Sequence, residues 1–283
     1  APPIQQNTLA SSLDCWSYQD IKADSAIIGN EILYTNGGVV ENISPPATNV
    51  MALFDGRLWL VDAEDQNLFW YSKPVIEATP IEMSDLFTYY VSPNSGTQNP
   101  TGPILAAAAM DDKLIVFKRN AIYYINGKGP DITGANNQYS EPIFVNGTVG
   151  CVDKNSVVLA PNGLMFKSDN GIWMLGRDMG LNYIGKDVED FNDSQVTSSV
   201  YVPGTSEVRF TLNTGEVLIY DYLVNQWGTD SGIPAVSSTI YKNKHTYVNS
   251  SNSMFQETAD IYLDGSTPTT MNFKTGWINF SNL

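Results

Sequence analysis

A single pattern of apolar and polar positions recurs along most of the chain. A short apolar strand runs into a polar turn, an alternating second strand follows, and a second turn leads into a third strand rich in aromatic residues. The clearest copy spans residues 51–71, with Asp55-Gly56 as its first turn. Asp-Gly and Asn-Gly between such runs are strong hairpin signals, because type I′ turns need positive φ. Each copy therefore predicts a meander of at least three antiparallel strands.

Six copies of this pattern are recognisable, at residues 26–40, 51–71, 104–125, 157–175, 200–220 and 238–255. From Asn30 to Lys242 the first turns lie about 42 residues apart on average, close to the roughly 40–50 residues of a four-stranded propeller blade. The first interval, from Asn30 to Asp55, is only 25 residues. We therefore predict an all-β fold, a β-propeller of about six antiparallel blades, with an incomplete first blade completed by another part of the chain.

The competing architecture is a β-sandwich or jelly roll, which also has evenly spaced strands but does not predict a blade-length repeat. Closing the meanders into a ring buries each blade against its neighbours and removes open faces. Long connections at 72–103, 126–156 and 176–199 are interpreted as excursions between the units. Within 185–199, Val188 and Phe191 at a three-residue spacing predict one short helix between blades.

The propeller is predicted to span residues 25–264. Residues 1–24 then form an N-terminal extension or a blade-closing segment, and residues 265–283 form a strand leading into a missing or second domain. The sequence begins without Met and ends on an apolar, strand-like run, which indicates a fragment of a longer chain. No apolar run approaches the ~20 residues of a membrane span, and no signal-peptide pattern is present at the N-terminus. We expect no membrane-spanning segment.

The charge balance narrows the range of functions. Thirty acidic against 15 basic side chains give a net charge of −15, so a surface that grips nucleic-acid phosphates is disfavoured, although DNA could slide past such a surface. The content of 22 Gly, 15 Pro and 11% aromatic residues fits many short strands joined by tight turns. Cys15 and Cys151 are far apart in sequence and are expected to be free buried thiols.

Candidate catalytic residues are few. His245 is the only histidine, which excludes a histidine-rich metal site, and a Ser-His-Asp triad would have to use it without any nucleophile elbow in the chain. We interpret His245 as an ordinary strand residue. Residues 168–173 (SDNGIW) are the nearest match to a sialidase Asp-box, but their spacing is wrong and no other unit repeats them. We interpret them as a polar hairpin turn.

Two acidic stretches raise the question of cation binding. They contain Asp187, Glu189, Asp190 and Asp193 in one case and Asp62, Glu64 and Asp65 in the other. Neither has the spacing or the central Gly of an EF-hand, so solvated loops are expected.

Gly127-Lys128-Gly129 lacks the first Gly of a P-loop and is followed by Pro130, so it does not predict a nucleotide site. The many strand aromatics are interpreted as blade core rather than a sugar platform. We therefore predict no enzyme, no catalytic residue, no metal ligand and no cofactor.

Three stretches resemble a known family, the propeller domain of tail nozzle or tail tubular proteins of short-tailed phages and the related packaged-DNA stabilisation proteins. Residues 54–60 (FDGRLWL) with 68–74 (LFWYSKP) are similar to the family pattern DGRLW…YxSxP. Residues 113–118 (KLIVFK) with 121–125 (AIYYI), and 163–166 (GLMF) with 170–173 (NGIW), resemble its next two blades. The resemblance covers roughly residues 50–230.

This resemblance implies a structural virion protein in the tail, a homo-oligomeric ring of six subunits through which DNA passes without specific binding. Its implied partners are other virion proteins, on the adaptor or portal side and at the tail fibres. The alternative is a carbohydrate-binding or carbohydrate-cleaving propeller acting on a host surface. A third reading is a cellular protein-interaction propeller that binds peptide partners.

Overall fold

The computed structural model describes residues 38–92 and 101–258 with their side chains, together with positions 23 and 25 and the backbone of four short strands. The chain divides into two compact units, Ala1–Val39 and Val40–Leu283. In the first unit, β1 (Gln5–Asn7) pairs antiparallel with β2 (Cys15–Ser17). The predicted copy at residues 26–40 lies almost entirely outside the described residues.

The second unit contains five consecutive antiparallel sheets, which we call blades 1 to 5. Blades 1 to 4 have four strands each and blade 5 has three, in strict meander order. Blade 1 consists of β3 (Met51–Phe54), β4 (Arg57–Val61), β5 (Leu68–Ser72) and β6 (Met83–Tyr90). Blade 2 consists of β7 (Ile104–Met110), β8 (Lys113–Lys118), β9 (Ile122–Asn126) and β10 (Ile143–Asn146).

The remaining blades follow the same order. Blade 3 consists of β11 (Val158–Ala160), β12 (Gly163–Ser168), β13 (Gly171–Gly176) and β14 (Leu181–Tyr183). Blade 4 consists of β15 (Val196–Val202), β16 (Glu207–Leu212), β17 (Glu216–Asp221) and β18 (Gln226–Ser231). Blade 5 consists of β19 (Ala235–Tyr241), β20 (Lys244–Asn249) and β21 (Met254–Gln256), and the short strands β22 (Leu263–Asp264) and β23 (Thr267–Pro268) pair after it.

Successive blades pack face to face, and the seams between blades 1 and 2, between blades 2 and 3 and between blades 3 and 4 each contain a hydrophobic cluster. Side chains alternate across a strand, so β8 sends Leu114 and Val116 to the cluster shared with blade 1 and sends Ile115 and Phe117 to the cluster shared with blade 3. Between blades 3 and 4 a third cluster forms around Phe210. A strand buried on both faces explains why β8 is an almost unbroken apolar run.

The first strands of neighbouring blades also contact one another, at β3–β7, β11–β15 and β15–β19. Sheets that pack side by side in chain order, with their first strands adjacent, are arranged radially rather than as two stacked layers. The protein is therefore a β-propeller, as predicted. Its strand aromatics fill the seams: Trp59, Phe69 and Tyr123 are fully buried.

The turns between first and second strands tie neighbouring blades together. Asp55 and Gly56 have φ of 50° and 64°, as the predicted type I′ turn requires. The Asp55 carboxylate accepts hydrogen bonds from the Gly129 backbone N–H (2.9 Å) and the Tyr139 hydroxyl (3.0 Å) of blade 2. At the equivalent turn of blade 2, Asp111 forms an ion pair with Arg177 of blade 3. The Asp at the turn between the first and second strands thus makes a polar contact to the next blade in both blade 1 and blade 2.

The first three strands of each blade match the strands predicted from the sequence, but the connections between the repeated units differ from the prediction. The long connections at 72–103, 126–156 and 176–199 are not pure excursions, because each contains the outer strand of its blade, β6, β10 or β14. The short helix expected within 185–199 is present as a 3-10 helix, Gly185–Phe191, with Val188 buried. Within the described ranges, no helix has the length and apolar character needed to cross a membrane.

Candidate functional site

A cavity of about 220 Å³ lies where the first strands of blades 1 to 4 begin. We call this side of the blades, where first strands begin and second strands end, the top face. Four side-chain amides line the cavity, those of Asn49, Gln66, Asn155 and Gln195. Its apolar wall is formed by Val50, Ile104, Val152 and Val196. The cavity therefore combines apolar contact surface with groups that both donate and accept hydrogen bonds.

The backbone holds these amide residues in place. The Gln66 carbonyl accepts a hydrogen bond from the Ile104 N–H (2.9 Å), which joins blade 1 to blade 2. The Gln195 carbonyl accepts from the Asn213 N–H (2.9 Å), and the Asn155 carbonyl accepts from the Ser199 hydroxyl (2.7 Å). The main chain at the rim is thereby fixed, whereas the amide side chains project from it.

Two charged residues at the cavity are already engaged by the protein. The Asp153 carboxylate accepts a hydrogen bond from the Val196 N–H (2.8 Å), so it tethers the start of β15. The Lys154 ammonium donates to the Asn49 carbonyl (3.1 Å), which links the segment before blade 3 to blade 1. Their opposite charges cancel, and the cavity has no net formal charge.

Two lysines near the top face are buried. Lys118 donates to the Asn67 side-chain oxygen (2.6 Å) and to the carbonyls of Val91 (3.1 Å) and Ser92 (3.4 Å). Burial lowers the pKa of Lys118 to about 8, against the opposing effect of Asp65. Burial likewise lowers the pKa of Lys167, opposed first by Asp153. Both ammonium groups serve as internal donors to backbone oxygens.

His245 lies in β20, as expected, and its side chain is buried between blades 4 and 5. Its Nδ1 is 3.3 Å from an Arg209 guanidinium nitrogen, and Arg209 also donates to Glu207 (2.7 Å) and Glu257 (2.9 Å). Burial, and then the Arg209 charge, lower the pKa of His245 below its ordinary value. The imidazole is therefore held neutral, with Nδ1 as the acceptor. This cluster lies at the end of blade 5 opposite the top face.

The two acidic stretches have different environments. The Asp62 carboxylate accepts hydrogen bonds from the Glu64 N–H (2.8 Å) and the Trp70 indole N–H (2.9 Å), so it stabilises the turn between β4 and β5. Glu189 accepts from the Tyr183 hydroxyl (2.8 Å), while Asp187, Asp190 and Asp193 are exposed. Across the described residues, no three His, Cys, Asp or Glu side chains are grouped to hold a metal ion.

Residues 168–173 form the hairpin turn between β12 and β13, as predicted from their broken box pattern. Asp169 at this turn makes a two-bond ion pair with Arg119 of blade 2, at 2.9 and 3.1 Å. Cys151 is a free, fully buried thiol, as expected, and burial raises its pKa to about 12. The side chain of Cys15 lies outside the described residues.

The residues that carry the phage-tail resemblance in blade 1 form one buried polar network. Arg57, only 3% exposed, donates to the Ser72 carbonyl (2.9 Å) and to the Pro130 carbonyl of blade 2. The Ser72 hydroxyl accepts from the Leu58 N–H (3.0 Å). Lys73 donates to the Val40 carbonyl (2.7 Å) and the Asn42 side chain (2.6 Å). Arg57 and Ser72, the Arg and Ser of the pattern, are thus interior structural residues.

No protein-family model and no curated protein matches the chain. Among solved structures, it is similar to a nidogen/laminin complex, with 11% identity over 71% of each chain and a TM-score of 0.43. A streptogramin B lyase shares 12% identity over 78% of this chain and 72% of that chain, with a TM-score of 0.42.

PorZ, a surface component of the type-IX secretion system of Porphyromonas gingivalis, shares 10% identity over 81% of this chain, with a TM-score of 0.48. The chain spans only 28% of the length of that PorZ chain. Each of these TM-scores is below 0.5, so the likenesses carry no argument for function. The assignment as a β-propeller rests on the strand order and seams of the chain itself.

Proposed function

We propose that this chain is the propeller domain of a structural virion protein, a tail nozzle or neck component of a short-tailed phage. The observation that carries the proposal is the buried contact between Arg57 and Ser72. These two residues occupy the Arg and Ser positions of the pattern DGRLW…YxSxP, and a propeller blade has no general need for a buried arginine at that position. The match therefore extends beyond aromatic strand residues to two polar residues with specific contacts.

In this proposal the chain has no catalytic role, and it acts through its shape and its interfaces. Subunits form a ring, taken as a hexamer, that meets other virion proteins on the adaptor or portal side and at the tail fibres. The net charge of −15 supports a passive channel, because a surface of like charge does not hold DNA phosphates. DNA then crosses the ring quickly and is not bound specifically.

Assembly is tested by mass photometry of the purified protein over a range of concentrations, followed by electron microscopy of any oligomer. The proposal expects particles of six subunits with a central opening. A chain that stays monomeric at every concentration contradicts the proposal. Labelling intact virions with an antibody raised against the chain tests the tail location independently.

A passive channel is tested by the mobility of linear duplex DNA in the presence of the protein. We expect no retardation at physiological salt. A variant with Asp187→Lys, Glu189→Lys and Asp190→Lys, all at exposed positions, is the matched comparison, because its added positive charge should retard DNA in a salt-dependent way. Strong, salt-resistant binding of DNA by the unmodified protein would contradict passive passage.

A further inference from the structure

We propose that the cavity at the top face binds one neutral sugar residue through the side-chain amides of Asn49, Gln66, Asn155 and Gln195. The proposal does not depend on ring formation or on a place in a virion. It concerns a surface that the phage-tail resemblance leaves without a role.

The four amides are free to bind. All four residues are exposed, and their side chains make no hydrogen bond to any other described residue. Gln66 lies within blade 1, and the other three lie in the segments before blades 1, 3 and 4, yet all four line one cavity. An amide side chain offers two N–H donors and a carbonyl acceptor. Four unengaged amides around one cavity therefore present an array of mixed donors and acceptors.

This array matches hydroxyl groups better than it matches ions. Each hydroxyl donates one hydrogen bond and accepts others, so adjacent hydroxyls on a ring pair well with amides. An anion would need an unpaired cationic group, but the Lys154 ammonium donates to the Asn49 carbonyl at 3.1 Å. A cation would need several carboxylates, but Asp153 supplies the single carboxylate among the described residues that line the cavity, and it accepts a hydrogen bond from the Val196 N–H at 2.8 Å. The ligand class is therefore neutral and rich in hydroxyls.

The apolar wall and the size of the cavity complete the fit. Leu105 and Val152, which are partly exposed in the lining, supply a patch against which the C–H face of a sugar ring can lie. The volume of about 220 Å³ is several times the roughly 30 Å³ that one water molecule occupies in the liquid. This is room for a single sugar ring rather than for an oligosaccharide.

The test is saturation-transfer NMR with titration of free glucose, galactose, mannose and N-acetylglucosamine. Glucuronate and glucosamine serve as charged counterparts. We expect saturable, weak binding of at least one neutral sugar and weaker binding of its charged relatives. A glycan array then distinguishes the source of the sugar, because binding to chain ends indicates a glycan terminus and binding restricted to the free sugar indicates a small metabolite; either result supports the pocket.

Variants locate the site. The double variant Gln66→Met and Gln195→Met removes the hydrogen bonds of two amides, so it should weaken binding by about tenfold or more. Gln138→Met is the matched control, since Gln138 is an exposed amide without a side-chain hydrogen bond in the connection between β9 and β10, at the other face. Thermal unfolding of each variant verifies that it folds.

Three results overturn the proposal. The first is that no neutral sugar binds the folded protein at concentrations near its solubility limit. The second is that the double variant binds as tightly as the Gln138→Met control. The third is that a charged relative binds more tightly than its neutral parent. Ring assembly is measured separately by mass photometry, so failure of the proposed virion role leaves this result unaffected.

Discussion

Lys118 of blade 2 and Lys167 of blade 3 both lie near the ends of their second strands, and each donates to two backbone carbonyls of a segment between blades, Lys118 to the segment before its blade and Lys167 to the segment after its blade. Lys118 binds the carbonyls of Val91 and Ser92, at 3.1 and 3.4 Å. Lys167 binds those of Asn192 and Ser194, both at 2.6 Å. A buried ammonium thus satisfies loop carbonyls at the top face in two successive blades, which a hydrophobic side chain could not do.

Because the pKa of Lys118 is lowered, the free energy of unfolding should depend on pH in the alkaline range. In the unfolded chain this lysine has its ordinary pKa of 10.5, whereas in the folded protein the pKa is about 8. Between these values the unfolded state binds more protons, so the Lys118 contribution to the free energy of unfolding rises with pH. We expect Lys118→Met to remove part of this rise, as measured by urea unfolding at pH 7.5, 8.5 and 9.5.

Lys128→Met is the control for this measurement, because Lys128 is exposed. Above pH 10 buried tyrosines lower the free energy of unfolding as the pH rises, because burial raises the pKa of Tyr89 to about 12. The comparison is therefore made below pH 10. Identical pH profiles for the unmodified protein and Lys118→Met would show that Lys118 keeps an ordinary pKa.

Buried and exposed arginines at blade seams should differ in their contribution to stability. Arg57→Met keeps the apolar stem but leaves the carbonyls of Ser72 and Pro130 without their donor, so we expect a loss of about 2–4 kcal/mol. Arg119→Met removes an ion pair with Asp169 whose side chains are 60% and 42% exposed, so we expect a loss of at most about 1 kcal/mol. Chemical unfolding of both variants measures the difference, and equal losses would be inconsistent with the assigned burial.

Adjacent seams should be energetically separable. The rings of Phe117 and Phe166 lie 4.8 Å apart, centroid to centroid, across the seam between blades 2 and 3. A double-mutant cycle with Phe117→Leu and Phe166→Leu should give a coupling of about 0.5–1.5 kcal/mol. The cycle of Val116→Ala with Phe166→Leu is the control, since Val116 belongs to the other cluster. Equal coupling in both cycles would mean that the seams do not act independently.

The single histidine allows a direct measurement of its environment. Burial and the Arg209 charge lower the pKa of His245 below the ordinary 6.5, so its ring resonances should titrate below that value in the folded protein. Since the unfolded chain takes up this proton at higher pH, the stability contributed by neutral His245 is present above pH 6.5 and is lost as the pH falls below it. His245→Gln should reduce the acid sensitivity, and a titration at or above 6.5 would argue against burial.

Sequence patterning predicted the interior of the blades but not their outer strands. The run KLIVFK between two turns places β8 at Lys113–Lys118 without ambiguity, because a strand buried on both faces is apolar throughout. By contrast, β14 is only Leu181–Tyr183, and such a short, half-exposed strand shows no alternation that sets it apart from a loop.

The candidate site was not predicted. Asn49, Gln66, Asn155 and Gln195 lie in no common motif, and amide residues beside strand ends are ordinary in turns. Only the radial arrangement of the blades brings them together. The one signal in the sequence is positional: Asn49 and Gln195 each lie within two residues of the start of a first strand, β3 or β15.

The alternation within β8 has a consequence for how relatives of this protein can diverge. Val116 and Phe117 are joined by a peptide bond, yet each packs against a different neighbouring blade. Compensating substitutions should therefore link position 117 to position 166 in blade 3, while position 116 changes in concert with blade 1. Evolutionary covariation in such an array would follow the seams and would skip the adjacent residue in the chain.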